Sequence, residues 1–506
     1  MLAKIFSLGV IGIEAYPVEI EVDVAHGLPA VNIVGMADTA VRESKERVKS
    51  AIRNSGFKWP AERITVSLAP SDTRKEGASF DLAVALGILA ASEQINQKYL
   101  QDYFILAEMA LDGSLRAIRA ALPASLAAGA SNIKGLIIPL QNIKEAAIAK
   151  NTDVFGLKTL KETVEFLNSP DMLKPFKIDL EDLSRKYSHY EIDFSEVKGQ
   201  YHAKRALEVA VAGTHNILMI GPPGSGKTML AKRIPTIMPK LTIDESLEVT
   251  RIHSASGALN KDGIMSRRPF RSPHHSISSV ALSGGGSIPQ PGEISLSHHG
   301  VLFLDELPEF RRDALECLRQ PLEDGVIRIS RSKKSVTFPA SFMLAAAMNP
   351  CPCGYYAHPK KRCRCNTSKI QNYIGKVSGP LLDRIDIHIE LPSIEYKELS
   401  ETKDAESSEI VKARIEKAQA IQKERFTGSN LYNGQMNAKQ IKKYCVLKNA
   451  ANELLKKAMN ELGLSARAYN KILKVARTIA DLAGSEEIRA EHIAEAVQYR
   501  SMDMRI

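Results

Sequence analysis

Short apolar runs alternate with helix-like patterns along the first third of the chain. The segments 64–68 and 135–139 have the length and apolar character of buried strands. The segments 79–92 and 120–130 are rich in Ala and Leu over helical lengths. This alternation predicts an α/β or α+β domain over residues 1–165.

The pattern changes three times in the rest of the chain. Residues 166–192 are largely polar and contain two prolines, so they are predicted to form a linker. Residues 193–395 contain apolar, strand-like runs separated by helical segments and glycine-rich turns, which predicts an α/β core with a parallel sheet. Residues 396–506 lack proline and carry a helical periodicity rich in Glu, Lys and Ala, which predicts an all-helical region.

A glycine-rich run directly follows the apolar segment 216–220. Its glycines let backbone N–H groups turn toward phosphate oxygens, and a helix is predicted to begin near Lys227 with its positive dipole end at the same place. In this arrangement Lys227 reaches the β- and γ-phosphates of a nucleotide and Thr228 holds Mg²⁺. The predicted nucleotide-binding residues are Gly221, Pro222, Pro223, Gly224, Ser225, Gly226, Lys227, Thr228 and Met229.

Two further apolar runs end in polar residues. Asp305 and Glu306 follow the first of them; Asp305 is predicted to orient Mg²⁺ or its water, and Glu306 to polarise the attacking water. Asn349 follows the second run, and its amide is suited to orient that water, although a turn residue before the next proline remains the alternative. Parallel strands would gather these side chains and the glycine-rich loop at one edge of a sheet.

Composition restricts the classes of protein that fit. The chain has 506 residues, of which 44% are hydrophobic and 25% charged, which is typical of a soluble globular protein and excludes a disordered chain. The 68 Lys and Arg residues against 58 Asp and Glu residues give a net charge of +10, which permits an anionic partner without proving one. No apolar segment reaches the ~20 residues of a membrane-spanning helix, so no membrane role is expected.

Four of the six cysteines lie within fifteen residues and form two C-x-C pairs, with basic residues among them: Cys351, Cys353, Cys363 and Cys365. Four thiolates could enclose a tetrahedral Zn²⁺. The spacing is tighter than the usual C-x₂-C pattern, and reduced structural cysteines remain the alternative. The low overall cysteine content predicts a reducing, cytoplasmic location and no disulfide framework.

Taken together, four motifs resemble those of AAA+ ATPases: Asp193-Phe-Ser-Glu-Val-Lys-Gly-Gln, the glycine-rich loop, Leu304-Asp-Glu and Met348-Asn-Pro. Three further runs resemble the magnesium-chelatase-like ComM/YifB family: Arg268-Pro-Phe-Arg-Ser-Pro-His-His, Asn349-Pro-Cys-Pro-Cys-Gly and Gly379-Pro-Leu-Leu-Asp-Arg-Ile-Asp. The resemblance covers essentially the whole chain. It implies a Lon-protease-like domain (1–165), an AAA+ core (193–395) and a helical C-terminal lid (396–506). It also implies a hexamer that uses ATP to drive DNA branch migration in natural transformation.

The resemblance implies roles for two arginines. Arg384 matches an arginine finger that acts on the ATP of the neighbouring subunit, and Arg467 matches the second sensor on a lid helix. Both would supply positive charge to the γ-phosphate as it leaves. The alternative is a structural ion pair, since Asp383 and Asp386 lie beside Arg384 in the sequence.

Two basic segments are candidates for nucleic-acid contact. Residues 326–338 alternate apolar and polar positions around a basic tip, which predicts a β-hairpin, and residues 257–297 are interpreted as an inserted hairpin or loop pair. In the related clade, hairpins at these positions point into the central pore, where cations hold phosphate without reading sequence. Solvated surface charge is the alternative. The candidate DNA-binding residues are Arg268, Arg271, Arg328, Arg331, Lys333 and Lys334.

The N-terminal domain carries a protease-like pattern. Lys75-Glu-Gly-Ala-Ser79 resembles the nucleophile loop of Lon-type proteases, whose serine needs a lysine to take its proton. The matching position falls near Leu122, and Lys75 belongs to the serine loop itself, so the domain is predicted to be inactive as a protease. A DNA-translocating motor with recombination proteins as partners fits best. The alternative is a magnesium-chelatase-like remodelling ATPase that acts on a protein or in a tetrapyrrole pathway.

Overall fold

The chain forms two compact units in the computed structural model, which describes all residues except 37, 74, 76, 181–182, 184–188, 260–262, 287–288, 332–333, 394–404, 429–430 and 501–506. The first unit comprises Met1–Tyr187, Thr242–Ser266 and Ser287–Gln290, and the second comprises Ser188–Leu241, Arg267–Gly286 and Pro291–Ile506. Residues 242–266 therefore group with the N-terminal unit, although they follow the glycine-rich loop in the sequence. The predicted boundary at 395 lies outside the described residues, and the other domain boundaries remain predictions.

The first unit is a mixed α/β structure. Its strands are β1 (Leu2–Ile11), β2 (Glu14–Ala25), β3 (Ala30–Val34), β4 (Arg63–Ala69), β5 (Tyr103–Ile105), β6 (Glu108–Met109), β7 (Leu115–Arg116), β8 (Gly135–Pro139) and β9 (Val154–Leu157). Its α-helices lie at Thr39–Asn54, Asp81–Ala91, Ala121–Gly129, Ile143–Ala146, Leu160–Asn168 and Ile243–Ser256. Single 3₁₀ turns lie at Leu100–Asp102, Leu140–Asn142 and Pro170–Met172.

Seven of these strands form one sheet, in the order β3-β4-β2-β1-β5-β8-β9. The β1/β2 and β2/β4 pairs are antiparallel, and the other neighbours pair in parallel. The helix Asp81–Ala91 is buried along its whole length. A Cβ on Gly87 would lie 2.5 Å from Val22 Cγ2 and 2.7 Å from Ile5 Cδ1, so glycine permits the close approach of helix and sheet. The strands and helices predicted for this unit are confirmed to within two residues at each end.

The second unit combines a parallel sheet with a helical C-terminal region. The remaining strands are β10 (Ile217–Ile220), β11 (Phe270–Arg271), β12 (Gly284–Gly285), β13 (Gln290–Pro291), β14 (Val301–Leu304), β15 (Val326–Arg331), β16 (Lys334–Pro339), β17 (Met343–Met348) and β18 (Ile387–Glu390). The α-helices lie at Tyr201–Gly213, Lys227–Ile237, Ser279–Ser283, Glu293–Leu296, Arg312–Glu316, Arg319–Asp324, Thr367–Ile374, Gly379–Leu382, Ser408–Arg425, Ala438–Tyr444, Asn449–Leu462, Ala466–Leu482 and Ala490–Gln498. Single 3₁₀ turns lie at Phe194–Glu196, Leu307–Glu309 and Asn433–Gln435.

The sheet of the second unit has the order β11-β14-β17-β10-β18, and all neighbouring strands are parallel. Strands β10, β14 and β17 are buried throughout, as expected for parallel strands covered on both faces. One face packs in a single apolar cluster with the helices Tyr201–Gly213 and Lys227–Ile237 and with the C-terminal helices. The predicted mixed α/β class, parallel sheet and helical C-terminal region are confirmed. Among the described residues, no helix combines the length and apolarity needed to cross a bilayer.

Candidate nucleotide site

The glycine-rich loop joins β10 to the helix Lys227–Ile237. Gly224 and Gly226 have φ angles of +80° and +86°, in the left-handed region that strains any residue with a Cβ. Gly226 is also the N-cap of the helix. A Cβ on Gly221 would lie 2.6 Å from the carbonyl oxygen of Leu391. The glycines therefore allow the backbone path of a phosphate-binding loop that opens directly onto a helix N-terminus.

The ammonium group of Lys227 is held inside this loop. Its Nζ donates to the carbonyl oxygens of Gly221 at 2.7 Å and Pro222 at 3.0 Å, and to Asn349 Oδ1 at 3.2 Å. Burial lowers the pKa of Lys227, against the attraction of two nearby carboxylates that favours the charged form. These oxygens occupy the positions around the ammonium where the anionic oxygens of a phosphate chain would bind.

Thr228 and Asp305 meet at the start of the same helix. Thr228 Oγ1 donates to Asp305 Oδ2 at 2.7 Å, and the backbone N–H of Glu306 donates to Asp305 Oδ1 at 3.0 Å. A hydroxyl and a carboxylate are hard oxygen donors of the kind that Mg²⁺ takes, usually with waters completing its octahedron. The chemistry of this pair therefore fits the predicted Mg²⁺ site.

Glu306 has a backbone conformation that is uncommon for a residue with a side chain. Its φ is +53°, in the left-handed region, which costs on the order of 1–3 kcal/mol and is most often found at functional sites. Its half-exposed carboxylate lies with Oε2 3.5 Å from Nδ1 of His275. Sequence reasoning noted His275 only as part of a family motif, because the spacing of the two residues along the chain gives no sign of this contact.

The register of the parallel strands brings these residues to one edge of the sheet. Ile220 at the end of β10 pairs with Met348, and Leu304 at the end of β14 pairs with Ala346 of the same strand, β17. The glycine-rich loop, Asp305 and Asn349 therefore leave neighbouring strands at the same edge.

Tyr373, in the helix Thr367–Ile374, lies beside this edge of the sheet. It is 5% exposed and hydrogen-bonds to the backbone of Asn349, and burial raises its pKa to about 12. Sequence reasoning missed Tyr373, since a tyrosine in a short helix is more often a core residue.

Arg384 and Arg467 lie together elsewhere, in a cleft of about 730 Å³. Arg467 Nη1 donates to Asp383 Oδ2 at 2.7 Å. The guanidinium of Arg384 pairs with Glu323 and donates to the carbonyl oxygen of Pro380 at 2.5 Å. Within the single chain both arginines are thus engaged in ion pairs. Among the contacts of the described residues, neither bonds to the glycine-rich loop of its own chain.

A buried charge cluster joins the segments that carry these two arginines. Buried Asp386, two residues after Arg384, pairs with Lys471 and lies 3.2 Å from Nδ1 of His215. Burial alone would raise the pKa of Asp386, but the Lys471 ammonium and His215 outweigh it and hold the pKa well below its usual range. Lys471 lies one helical turn after Arg467. The Asp386–Lys471 ion pair therefore links the segments that carry Arg384 and Arg467.

The predicted basic hairpin is present. Strands β15 and β16 pair antiparallel along their whole length, ending in the Arg331↔Lys334 pair, and Arg328 is exposed. Only the backbones of Arg331 and Lys334 are described, and Lys333 lies outside the described residues. The hairpin is confirmed, and its contact with DNA remains a prediction.

Arg268 and Arg271, in the segment 257–297, are both partly buried. Arg271 belongs to β11, which pairs with β14, and its guanidinium makes two bonds of 2.6 Å to the Glu293 carboxylate. Arg268 donates to the carbonyl oxygens of Pro239 at 2.6 Å and His299 at 2.8 Å. Both guanidinium groups are therefore bonded within the chain, and the DNA role of the two residues remains a prediction.

The four clustered cysteines converge in space. All four Sγ atoms lie within 4.8 Å of one another. The Sγ separations are 3.3 Å for Cys351–Cys353, 3.7 Å for Cys351–Cys363 and 3.6 Å for Cys353–Cys363. A tetrahedral metal with Zn–S bonds near 2.3 Å places its sulfurs about 3.8 Å apart. The donor set and its dimensions therefore fit the predicted Zn²⁺.

The serine loop of the first unit leads to a different environment. Ser79 comes just before the buried helix Asp81–Ala91. Leu122, at the position that matches the catalytic lysine of Lon-type proteases, is fully buried in an apolar cluster. Lys75 is also buried, and its Nζ donates to the carbonyl oxygen of Pro70. The position that would need a lysine is thus part of a hydrophobic core.

Three sequence families together match most of the chain. Residues 193–399 match the family described as magnesium chelatase, subunit ChlI. Residues 20–142 match subunit ChlI of Mg-chelatase, and residues 405–500 match the C-terminal part of subunit ChlI.

Curated proteins of other organisms are similar over the full length. The chain is 45% identical over 504 residues to the competence protein ComM of Haemophilus influenzae, which covers 99% of this chain and 98% of that protein. It is 42% identical over 503 residues to the uncharacterized protein YifB of Escherichia coli, which covers 99% of this chain and 97% of that protein. A shorter similarity, 27% over 182 residues, relates it to Lon protease 2 of Bacillus subtilis and covers 32% of each chain.

Proposed function

The chain belongs to the ComM/YifB family of magnesium-chelatase-like AAA+ ATPases, and we propose that it is a ring-forming motor that uses ATP to move DNA and drive branch migration. In this proposal the active assembly is a hexamer, and the cellular role is to help integrate incoming DNA during natural transformation. Recombination proteins are the proposed partners. ATP with Mg²⁺ is the proposed substrate, and Zn²⁺ at the cysteine cluster is the proposed structural metal.

One observation supports the ATPase part of the proposal above all others. Lys227 is linked to Asn349 at 3.2 Å, and Thr228 to Asp305 at 2.7 Å, at a single edge of a parallel sheet. Phosphoryl transfer needs a cation for the phosphates, oxygen ligands for Mg²⁺ and a polar group for the attacking water, and catalysis follows from holding them in place together.

Each residue has a role that its contacts allow. Lys227 neutralises the β- and γ-phosphates, and Asn349, held against it, orients the attacking water. Glu306, half-exposed beside them, takes the proton of that water as general base. Thr228 and Asp305 would hold Mg²⁺, which when bound neutralises charge that develops on the phosphate oxygens.

The paired arginines support the ring part of the proposal. Arg384 and Arg467 share one cleft; Arg384 is proposed to act on the γ-phosphate of the neighbouring subunit, and Arg467 to act as the second sensor on the lid helix. On ring closure, Asp383 and Glu323 would release the two guanidinium groups to phosphate oxygens, which have the same bidentate geometry as a carboxylate. An arginine that acts in trans needs a head-to-tail contact between subunits, and such contacts form a ring when the rotation between subunits closes.

The hairpin β15–β16 supports the DNA part of the proposal. Its exposed Arg328 offers a cation to the nucleic-acid backbone without reading the sequence, and the sequence between its two strands, which includes Lys333, is basic. The competing function is a chelatase-like ATPase that remodels a protein or acts in a tetrapyrrole pathway. The chelatase descriptions of the matching families favour it.

The variant Glu306→Gln tests the ATPase part. Glutamine keeps the size of the side chain but takes no proton, so ATP binding should persist while turnover falls by about 10²–10⁴-fold. A fluorescent ATP analogue measures ATP binding, and steady-state phosphate release measures turnover. Glu309→Gln is the matched control, because this nearby carboxylate pairs with Lys376 instead, and its activity should be normal. Undiminished hydrolysis in Glu306→Gln would contradict the assignment.

A synthetic four-way DNA junction separates the two functions. The motor predicts that the wild-type protein moves the junction only with ATP and that Glu306→Gln does not move it. A protein that hydrolyses ATP and leaves the junction unmoved would favour the chelatase-like function.

A further inference from the structure

The loop that follows Asn349 is long and has no regular structure. Residues 349–366 contain neither helix nor strand between the end of β17 and the helix Thr367–Ile374. Connections of this length are uncommon in compact domains and are usually functional. Both ends are anchored near the nucleotide site, because Asn349 bonds to Lys227 and the helix after the loop carries Tyr373, which bonds to the backbone of Asn349.

The four cysteines bring the two arms of this loop together, with all four Sγ atoms within 4.8 Å of one another. Three of their Sγ separations, 3.3 to 3.7 Å, are close to the edge of a tetrahedral ZnS₄ site, about 3.8 Å. All four cysteines are free thiols whose measured Sγ separations are well beyond an S–S bond of about 2.05 Å, and a tetrahedral metal would use all four. Basic residues beside the thiols offset the negative charge of such a site, and they are Lys360, Lys361, Arg362 and Arg364.

The loop also packs against the glycine-rich loop. A Cβ on Gly354 would lie 2.5 Å from Cδ and 2.8 Å from Cγ of Pro223, so the Gly354 backbone rests directly on the proline ring. Gly354 has a φ of +81°, and its N–H donates to the carbonyl oxygen of Cys351 at 2.9 Å. The turn that touches Pro223 is therefore the same turn that presents Cys351 and Cys353.

We infer that a Zn²⁺ bound by Cys351, Cys353, Cys363 and Cys365 braces the glycine-rich loop through Gly354 and fixes Asn349. The metal is structural and does not touch the nucleotide. Without it the loop loses its cross-link, and the Gly354–Pro223 contact and the position of Asn349 are no longer fixed. ATP affinity and turnover therefore depend on the bound metal. This dependence rests on the proposed ATPase function, whereas the metal site itself does not.

Elemental analysis of the full-length protein, purified under reducing conditions, tests the metal site. We expect stoichiometric zinc in the wild type and in the control Cys317→Ala/Cys445→Ala, which removes the two cysteines outside the cluster. We expect none in Cys363→Ser/Cys365→Ser, with circular dichroism showing that the variant is folded. A zinc-free wild type, or stoichiometric iron in place of zinc, would overturn the site.

Gly354→Ala separates the brace from the metal. Alanine keeps all four thiols, but its Cβ meets the Pro223 ring and its φ is strained. Zinc should remain stoichiometric while the affinity for a fluorescent ATP analogue falls by about tenfold, which corresponds to 1.4 kcal/mol.

Removing zinc from the wild type with a chelator, in excess Mg²⁺, should weaken binding in the same direction, and added zinc should restore it. Zinc-free, folded protein that binds the analogue with wild-type affinity would overturn the brace. A wild type that holds zinc and binds the analogue but hydrolyses no ATP would contradict the proposed function and leave both the metal site and the brace in place.

Discussion

The two units carry two motif-bearing loops with different outcomes. In the second unit the glycine-rich loop ends in Lys227, whose ammonium meets Asn349 from a separate strand. In the first unit the serine loop ends in Ser79, and Leu122, near which the activating lysine is expected, is buried in the core. A sequence motif therefore reports chemistry only where its partner residues, which come from other strands, are also present.

The sheets explain why the partners gather in one unit. All five strands of the main sheet of the second unit run in parallel, so every chain segment that leaves one of them at its carboxyl end does so at the same edge. The first unit has a mixed sheet with antiparallel pairs β1/β2 and β2/β4, so its strands end at both edges. A parallel sheet therefore gathers the polar residues of its loops at one edge, whereas a mixed sheet spreads them over both edges.

The largest expected effect comes from removing Arg384, the arginine that we propose to act between subunits. Arg384→Ala should lower ATP turnover by about 10³–10⁵-fold, because an arginine finger stabilises the charge of the transition state. Arg489→Ala, which removes an exposed arginine paired with Glu491, is the control and should be neutral. Rings assembled from a mixture of the Arg384→Ala and Lys227→Ala proteins should regain some activity. In such a ring, some sites combine the intact Lys227 of one subunit with the intact Arg384 of its neighbour. No recovery in mixed rings would argue against action in trans.

Removing the cation of the glycine-rich loop should have the next largest effect. Lys227→Ala should lower kcat/KM for ATP by about 10²–10³-fold, since a preorganised donor to the phosphates is lost. Lys232→Ala removes an exposed lysine on the same helix and should change little. Steady-state phosphate release over a range of ATP concentrations is the measurement, and a wild-type kcat/KM in Lys227→Ala would disprove the site.

The second unit should also lose stability at mildly acidic pH. Burial lowers the pKa of His388, on β18, to about 3, whereas the unfolded chain has an ordinary value near 6.5. A depressed folded-state pKa means that the stabilisation is full above pH 6.5 and is lost as the pH falls toward 3. Between pH 7.0 and 5.5 this group should cost about 1.2 kcal/mol of unfolding free energy. Urea unfolding measures the free energy of unfolding of the wild type and of His388→Gln at both pH values. The difference between the two proteins should shrink by that amount from pH 7.0 to pH 5.5, and a difference that does not change with pH would refute the assignment.

The smallest effect is expected in the first unit. Ser79→Ala should leave ATP turnover and DNA stimulation unchanged, because no lysine occupies the position that would activate the serine. The wild type should cleave no casein under conditions where a Lon-type protease does. Casein cleavage that is abolished by Ser79→Ala would show that the serine loop is an active protease site, contrary to this prediction.

Local signals made much of the nucleotide site predictable. The glycine-rich loop, Asp305 and Asn349 each lie directly after an apolar run, so a linear pattern was enough to indicate both the strand and the polar residue at its end. The hairpin β15–β16 was predictable for the same reason, since alternation and a basic tip lie within a few residues.

Contacts between distant residues carried no such signal. His275 approaches Glu306, Glu323 pairs with Arg384 and Gly354 packs on Pro223, yet no pattern along the chain links the members of these pairs. The grouping of residues 242–266 with the first unit has the same origin. It depends on apolar packing of Ile264 and Leu247 with Leu122, which only the folded chain brings together.

We propose that ATP hydrolysis at this site is coupled to DNA. The most direct test is the steady-state ATPase rate of the full-length protein without DNA, with duplex DNA and with a four-way junction, each at two salt concentrations. We expect DNA to stimulate ATP turnover, most strongly for the junction. The stimulation should weaken at higher salt, because contacts with the phosphates are screened. An ATPase rate that no DNA changes at either salt concentration would contradict this proposal.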